Sequence, residues 1–226
     1  MSDQLTRLRA LIGDEKLMRL QNATVMVVGC GAVGSFAIEA LARCGIGNLI
    51  LIDFDCVEES NINRQIFALH STLAHKKVAA ARERVADINP DINVIALDIF
   101  FDENTTLDIQ PDFVIDAIDT VGSKIALYDW CRKNNVPFIS SMGAARKTDP
   151  SKIKVSKISK TFACPLAARI RKLARDNHLG DFPVVFSTET PTPHTTKEKN
   201  FGSIITVTGT FGLTLANYVI GQICAD

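Results

Sequence analysis

Paired cysteines are missing from this 226-residue chain. No two of Cys30, Cys44, Cys56, Cys131, Cys164 and Cys224 lie within three residues of each other, so there is no C-x-x-C pair for zinc or dithiol redox work. Most sit in apolar segments, as reduced core thiols do, and a cytoplasmic location is expected. No signal peptide is expected either, since the first 20 residues are charged and amphipathic. Residues 201–225 carry no charge, but Thr206, Thr208, Thr210, Thr214, Asn217 and the glycines Gly209, Gly212 and Gly221 argue against a membrane-spanning helix. A short strand at Ile204–Val207 followed by a buried helix, Phe211–Ile223, is expected there instead. There is no internal repeat and no strong linker. The reading is one domain, 1–226, with 1–22 an N-terminal helical segment and 146–200 a basic segment and mobile loop within it.

What is present is concentrated in Thr24–Arg64. The apolar run Val25–Val28 reads as a buried strand, turns at Gly29-Cys30-Gly31-Ala32-Val33-Gly34, and enters a segment with helical spacing. Gly45 and Gly47 stop that helix, and Leu49–Ile52 reads as a second strand ending on Asp53. This is a βαβ unit with a G-x-G-x-x-G turn and an acid 19 positions after its last glycine. Gly29 suits a tight turn, Gly31 lets a phosphate approach the backbone, and Gly34 lets helix and strand pack closely. The helix N-terminus supplies unpaired N–H donors and the positive end of its dipole. Asp53 is placed to accept hydrogen bonds from ribose hydroxyls. No Walker-type lysine follows Gly34.

Further along, helices are expected at Lys76–Ile88 and Ser123–Asn134, and strands at Asn93–Leu97, Phe113–Ala117 and Pro137–Ser140. The stretch between Asp53 and Lys76 is long and polar, as site-building connections in α/β sheets are. After Ser140 the pattern changes to an antiparallel strand around Ile153–Ile158, a basic helix at Leu166–Asp176, a short strand at Val184–Phe186 and a Thr- and Pro-rich loop, Ser187–Asn200. The fold class is therefore α/β: a Rossmann-like, mostly parallel sheet with helices on both faces and antiparallel strands added in the second half. Net charge is zero, yet Arg146–Arg175 holds ten Lys or Arg and one acid, leaving 15 basic and 24 acidic residues elsewhere. That asymmetry points to a polyanionic partner, with a solvated helix face as the alternative.

Five features fall in order: GCGAVG, Asp53-Phe54-Asp55, Asn61-Ile62-Asn63-Arg64-Gln65, Lys77, and Asp116-Ala117-Ile118-Asp119. Together they resemble the adenylation site of the ubiquitin-activating-enzyme-like superfamily, over nearly the whole chain from Ala10. The default reading of a glycine fingerprint, a nicotinamide-dependent oxidoreductase, needs neither the N-x-N-R-Q run nor the spaced lysine. By the resemblance, Asp53 holds the ATP ribose with Asp55 beside it, Arg64 and Lys77 neutralise phosphates, and Asp119 carries Mg²⁺. Asn61 and Gln65 line the phosphate pocket, and Arg7 reaches the nucleotide of a neighbouring subunit, which implies a homodimer. Such cations suit the chemistry, because a carboxylate must attack an anionic α-phosphate while pyrophosphate leaves. Thr120 stands where many relatives have Asn, and Lys124 where several have Arg.

The second half, SMGAARKTDPSKIKVSKISKTFACPLAARIRK followed by Val184–Glu189, resembles the tRNA threonylcarbamoyladenosine dehydratases. The resemblance implies ATP-dependent adenylation of the threonyl carboxylate of a modified adenosine in the tRNA anticodon loop, then cyclisation with loss of AMP. Lys152, Lys154, Lys157, Arg169, Arg171, Lys172 and Arg175 are then expected to form part of a tRNA-binding face. The alternative within the superfamily is an enzyme activating the C-terminus of a ubiquitin-like sulfur-carrier protein, and a sulfur-relay protein is a further candidate partner. The missing C-x-x-C pairs count against that branch. Cys164, next to Pro165 in a loop expected to be exposed, raises a thioester reading, but no basic activation beyond the general lysine field accompanies it. A non-enzymatic nucleotide-binding regulator is the third reading, weakened by the presence of Arg64, Lys77 and Asp119 together.

Overall fold

The computed structural model describes residues 3–193 and 201–225. Its strands are β1 (Thr24–Val28), β2 (Asn48–Ile52), β3 (Asn93–Leu97), β4 (Phe113–Asp116), β5 (Phe138–Ser141), β6 (Ile153–Lys157) and β7 (Pro183–Ser187). They form one sheet in the order β3-β2-β1-β4-β5-β7-β6. Pairing is parallel from β3 across to β7. β6 alone among the described strands runs antiparallel, with Ile153 opposite Ser187 and Lys157 opposite Pro183. The α/β reading holds, and the antiparallel addition is a single edge strand.

The helices are α1 (Thr6–Ile12), α2 (Asp14–Asn22), α3 (Gly34–Arg43), α4 (Lys77–Ile88), α5 (Val121–Lys133), α6 (Pro165–Asp176) and α7 (Ile205–Ile223). Strand alternation sorts them into two layers. Val25, Val27, Leu49, Leu51, Phe113 and Ile115 join a core with α3, α4 and α7. Met26, Val28, Ile50, Ile52 and Val114 meet Leu127 and Cys131 of α5 on the other face. Val184 and Phe186 extend that second layer onto Tyr128 of α5 and onto Ala167 and Ile170 of α6. Strands covered on both faces read as unbroken apolar runs, which is why β1 and β2 were legible.

Two elements differ from expectation. The N-terminal helix is broken at Gly13 (φ 85°) into α1 and α2, and Leu11 near the end of α1 is 81% exposed. Ile204–Val207 is not a strand, because α7 begins at Ile205. Its β-branched run favours a strand locally, but Val207, Phe211, Leu215 and Val219 recur at helical spacing and are all buried. Gly209 and Gly212 bring α7 close to α3: a Cβ at Gly209 would stand 3.0 Å from the Phe36 ring. Among the described residues no helix is long and apolar enough to cross a membrane. Of the Thr- and Pro-rich loop, residues 194–200 lie outside the described residues.

Candidate active site

The sheet reverses its winding at β1, which has β2 on one side and β4 on the other, so a crevice opens at the carboxyl ends of β1 and β4. The glycine loop fills its floor. Gly29 takes φ 97°, its N–H donates to Ile52 O (2.8 Å), and a Cβ on it would lie 2.7 Å from Ala117 O. A Cβ on Gly34 would run into the Gly29 carbonyl. Above Gly31 the space is open except for the Gln65 amide nitrogen, 3.8 Å from where a Cβ would be. Gly29 thus makes the tight turn and Gly34 the close packing, while the backbone at Gly31 faces open space. α3 starts at Gly34, so its first-turn N–H groups end at this loop.

Asp53 follows β2 and ties the loop down. Its Oδ2 accepts from Cys30 N–H (2.7 Å) and its Oδ1 from Asp55 N–H (2.9 Å). Burial pushes its carboxyl above the ordinary value near 3.8, against those two donors and the Lys77 charge. Each oxygen keeps a free lone pair for a further donor. Lys77, the first residue of α4, is buried and its Nζ lies 2.6 Å from Asp55 Oδ2; its N–H donates to Asp55 O (3.0 Å). In the connection between them, Asn61 is buried and accepts from Glu58 N–H through Oδ1 (3.1 Å). Arg64 is half-buried, and its guanidinium donates to Ser60 O (2.6 Å) and Asn63 Oδ1 (2.9 Å). Asn63 in turn donates to Ser203 O (3.1 Å), tying this connection to the approach to α7.

Asp116-Ala117-Ile118-Asp119 leaves β4 against the glycine loop, and Ala117 N–H donates to Val28 O (2.8 Å). Asp119 is exposed and receives one side-chain hydrogen bond, from Thr120 Oγ1 (3.3 Å); Thr120, not Asp119, is the N-cap of α5. Beneath this turn Asp116 and Lys124 meet Tyr128 and Ser140, a cluster that residue order alone does not bring together. Asp116 Oδ2 accepts from Lys124 Nζ (2.7 Å), Tyr128 OH (2.7 Å) and Ser140 Oγ (2.6 Å), and its Oδ1 accepts from Ile118 N–H (3.0 Å). Lys124 also donates to Ser141 O (2.8 Å), so one buried ammonium joins the ends of β4 and β5. Burial, and then the Asp116 charge, pushes the Tyr128 phenol well above its ordinary value near 10, which keeps it a donor. A signal existed: Lys124 sits at i−3 and i−4 to the buried Leu127 and Tyr128, on the inner stripe of α5.

Two residues singled out from the sequence lie away from this crevice. Arg7 is exposed on α1, and neighbouring Leu5 packs against Gly45, beyond the C-terminal end of α3. The glycine loop is at the other end of that ten-residue helix, about 15 Å away, so Arg7 does not join its own chain's crevice. Cys164 is buried rather than exposed; it caps α6, with Sγ accepting from Ala167 N–H (3.5 Å). At the carboxyl end of β7, buried Lys147 donates to Ser187 O (3.1 Å), and burial lowers its ammonium pKa against the opposing pull of Cys164 and Glu189.

A crevice of this make belongs to nucleotide-binding proteins of the doubly wound α/β class. The ThiF family model matches residues 2–225, and the chain belongs to that family. It is 47% identical over 195 residues to the tRNA threonylcarbamoyladenosine dehydratase of Bacillus subtilis, covering 84% of this chain and 77% of that one. Crystal structures of the Escherichia coli tRNA N6-threonylcarbamoyladenosine dehydratase with AMP and with ATP superpose with TM-scores of 0.92 and 0.91 at 36% identity, covering 98% of this chain and 96% of theirs.

Proposed function

We propose that this protein is an ATP-dependent tRNA threonylcarbamoyladenosine dehydratase, acting as one adenylating domain. The observation that carries the reading is the chain-wide match to an ATP-bound enzyme of that activity, joined to a crevice in which glycine loop, Asp53, the Asp55–Lys77 pair and the Asp119 turn converge. ATP lies with its phosphates on the glycine loop and its ribose at Asp53. Lys77 and Arg64 offset the charge that builds up on the α-phosphate and the departing pyrophosphate, while Asn61 and Gln65 line the pocket. For Lys77 this means exchanging Asp55 for phosphate oxygens. Asp119 fits Mg²⁺, because magnesium bound with a nucleotide takes one or two carboxylates plus phosphates, and this exposed carboxylate has a single side-chain contact. The ion supplies charge neutralisation at the phosphates.

The substrate carboxylate attacks the α-phosphorus, the bond to pyrophosphate breaks, and an acyl-adenylate forms. A nucleophilic nitrogen or oxygen of the same modified nucleoside then attacks the activated carbonyl. AMP leaves with the former carboxylate oxygen, and the nucleophile gives up its proton. Arg7 reaches the partner's nucleotide in a homodimer, a reading supported by Leu11, Met18, Ile205 and Leu213, all exposed on the neighbouring helices α1, α2 and α7. The test is pyrophosphate exchange into ATP together with nucleoside mass spectrometry. Exchange and loss of one water from the nucleoside should require tRNA carrying threonylcarbamoyladenosine and vanish in Asp119→Ala. Exchange driven instead by a ubiquitin-like protein ending in Gly-Gly would replace this reading with the sulfur-carrier one.

A further inference from the structure

The basic segment does not present its charges as one face. Lys152 is paired with Asp149 (3.4 Å). Lys157 is an odd number of positions from Lys154, so it leaves the opposite face of β6, and its Nζ reaches Asp181 O (3.4 Å). Arg171 turns inward and donates to Thr161 O (2.8 Å) and Thr161 Oγ1 (2.7 Å). What Arg171 braces is the turn carrying Phe162, which is 55% exposed and is followed by Ala163 at φ 53°, a conformation unfavourable for a residue with a Cβ. A braced and strained turn therefore holds a large apolar ring out in water. Lys154 Nζ stands 5.8 Å from the Phe162 ring centroid, and the Phe162 edge packs on buried Phe186 (5.6 Å, 76° between planes).

The ring also sits at the right end of the sheet. Lys154 pairs with Phe186, one residue short of the carboxyl end of β7, the end at which the glycine loop and Asp119 lie. From β4 to β6 is three strand spacings, about 14 Å. From there α6 runs about 18 Å toward the opposite end of the sheet, from Cys164 beside Gly143 to the turn before β7. Arg169, Lys172 and Arg175 are exposed on its outer stripe, and none has an ion-pair partner within 4 Å among the described residues. Arg175 and His178 rim an open cleft of about 710 Å³ at its far end.

We propose that Phe162, with Lys154 over its ring, is a stacking platform for an unpaired base of the RNA loop, and that Arg169, Lys172 and Arg175 grip the phosphates of the adjoining stem. Loop bases of RNA are read by stacking on aromatic rings, whereas stems are held through phosphates, so one track offers the two kinds of contact in the order a stem-loop needs. This rests on the tRNA-modifying reading above and specifies where that RNA lies.

The two contact types separate in a salt titration. Binding of fluorescein-labelled tRNA to the full-length protein is followed by anisotropy across a range of potassium chloride. Phe162→Ala should weaken binding about tenfold with the slope of log affinity against log salt unchanged, and Phe162→Trp should restore it. Lys172→Gln with Arg175→Gln should lower that slope by about 1.4 to 1.8 units. Arg82→Gln, exposed on α4 in the other layer, should do neither. Unchanged thermal midpoints and ATP affinity confirm that the variants are folded, as expected for exposed positions. If wild-type protein binds tRNA and all variants match it, the track is a solvated face and this inference falls alone. If wild-type protein neither binds tRNA nor exchanges pyrophosphate with it, the inference falls together with the proposed function.

Discussion

Asp116 and Lys124 place opposite charges where water does not reach, and the cost of desolvation makes their pairing obligatory. Lys124→Met would leave the Asp116 carboxylate with two hydroxyl donors and one N–H, but no counter-charge. We expect it to destabilise the fold by about 3–5 kcal/mol in urea unfolding. Adding Asp116→Asn should cost less than the sum of the two single changes, because neither group is then left charged and alone. Lys77 is the contrasting case. Its partner Asp55 is partly exposed, so Lys77→Met should change stability little. The same substitution should lower the rate of adenylation by about 10²–10³-fold, as loss of a fixed cation at a developing charge does. Rapid-quench measurement of pyrophosphate release, set beside a thermal melt, separates the two effects.

Among the elements, α3 and α4 are clamped where Glu39 accepts from Arg84 Nε (3.0 Å) and Arg43 Nε (2.7 Å). Burial alone would raise the Glu39 carboxyl, but the hydrogen bonds from Arg84 and Arg43 outweigh it and hold it below its ordinary value near 4.5. A carboxylate with a lowered folded-state pKa contributes stability above its unfolded pKa and loses it as pH falls through the folded one. Glu39→Gln should therefore cost about 1–2 kcal/mol at neutral pH, with the difference from wild type shrinking as pH drops below about 4.5. Denaturant midpoints of both proteins between neutral pH and pH 3 provide the check. A constant difference across that range would mean that the clamp acts through packing rather than charge.

At the scale of the whole molecule, α1 lies at the end of α3 remote from the glycine loop, so in the dimer proposed above Arg7 would complete a site on the other chain. In a two-fold dimer each site would take Asp119 from one subunit and Arg7 from its partner. Arg7→Ala and Asp119→Ala homodimers should each be inactive. Unfolding and refolding them as an equal mixture should recover about a quarter of wild-type activity, since half the dimers then hold one intact site of two. No recovery, with heterodimers demonstrated by mass, would show that Arg7 does not complete the partner's site.

β1 and β2 could be read from residue order because they are covered on both faces. Val25–Val28 and Leu49–Ile52 are continuous apolar runs, and punctuation by Gly29, Gly45 and Asn89-Pro90 marks where they and their helices stop. The geometry of the glycine loop and Asp53 was legible because it depends on spacing along a single βαβ unit. Three features were decided only in three dimensions. Ile205–Val207 became helix because α3 offered a surface that rewards helical spacing more than β-branching rewards a strand. The charges from Lys152 to Arg175 were divided between two strand faces, an inward brace and an outer helix stripe, which a count along the chain cannot distinguish. Lys124, Tyr128, Ser140 and Asp116 come from three elements and meet only after the sheet has formed. Local spacing settles local contacts, but the fate of a buried charge depends on which distant partner the fold brings to it.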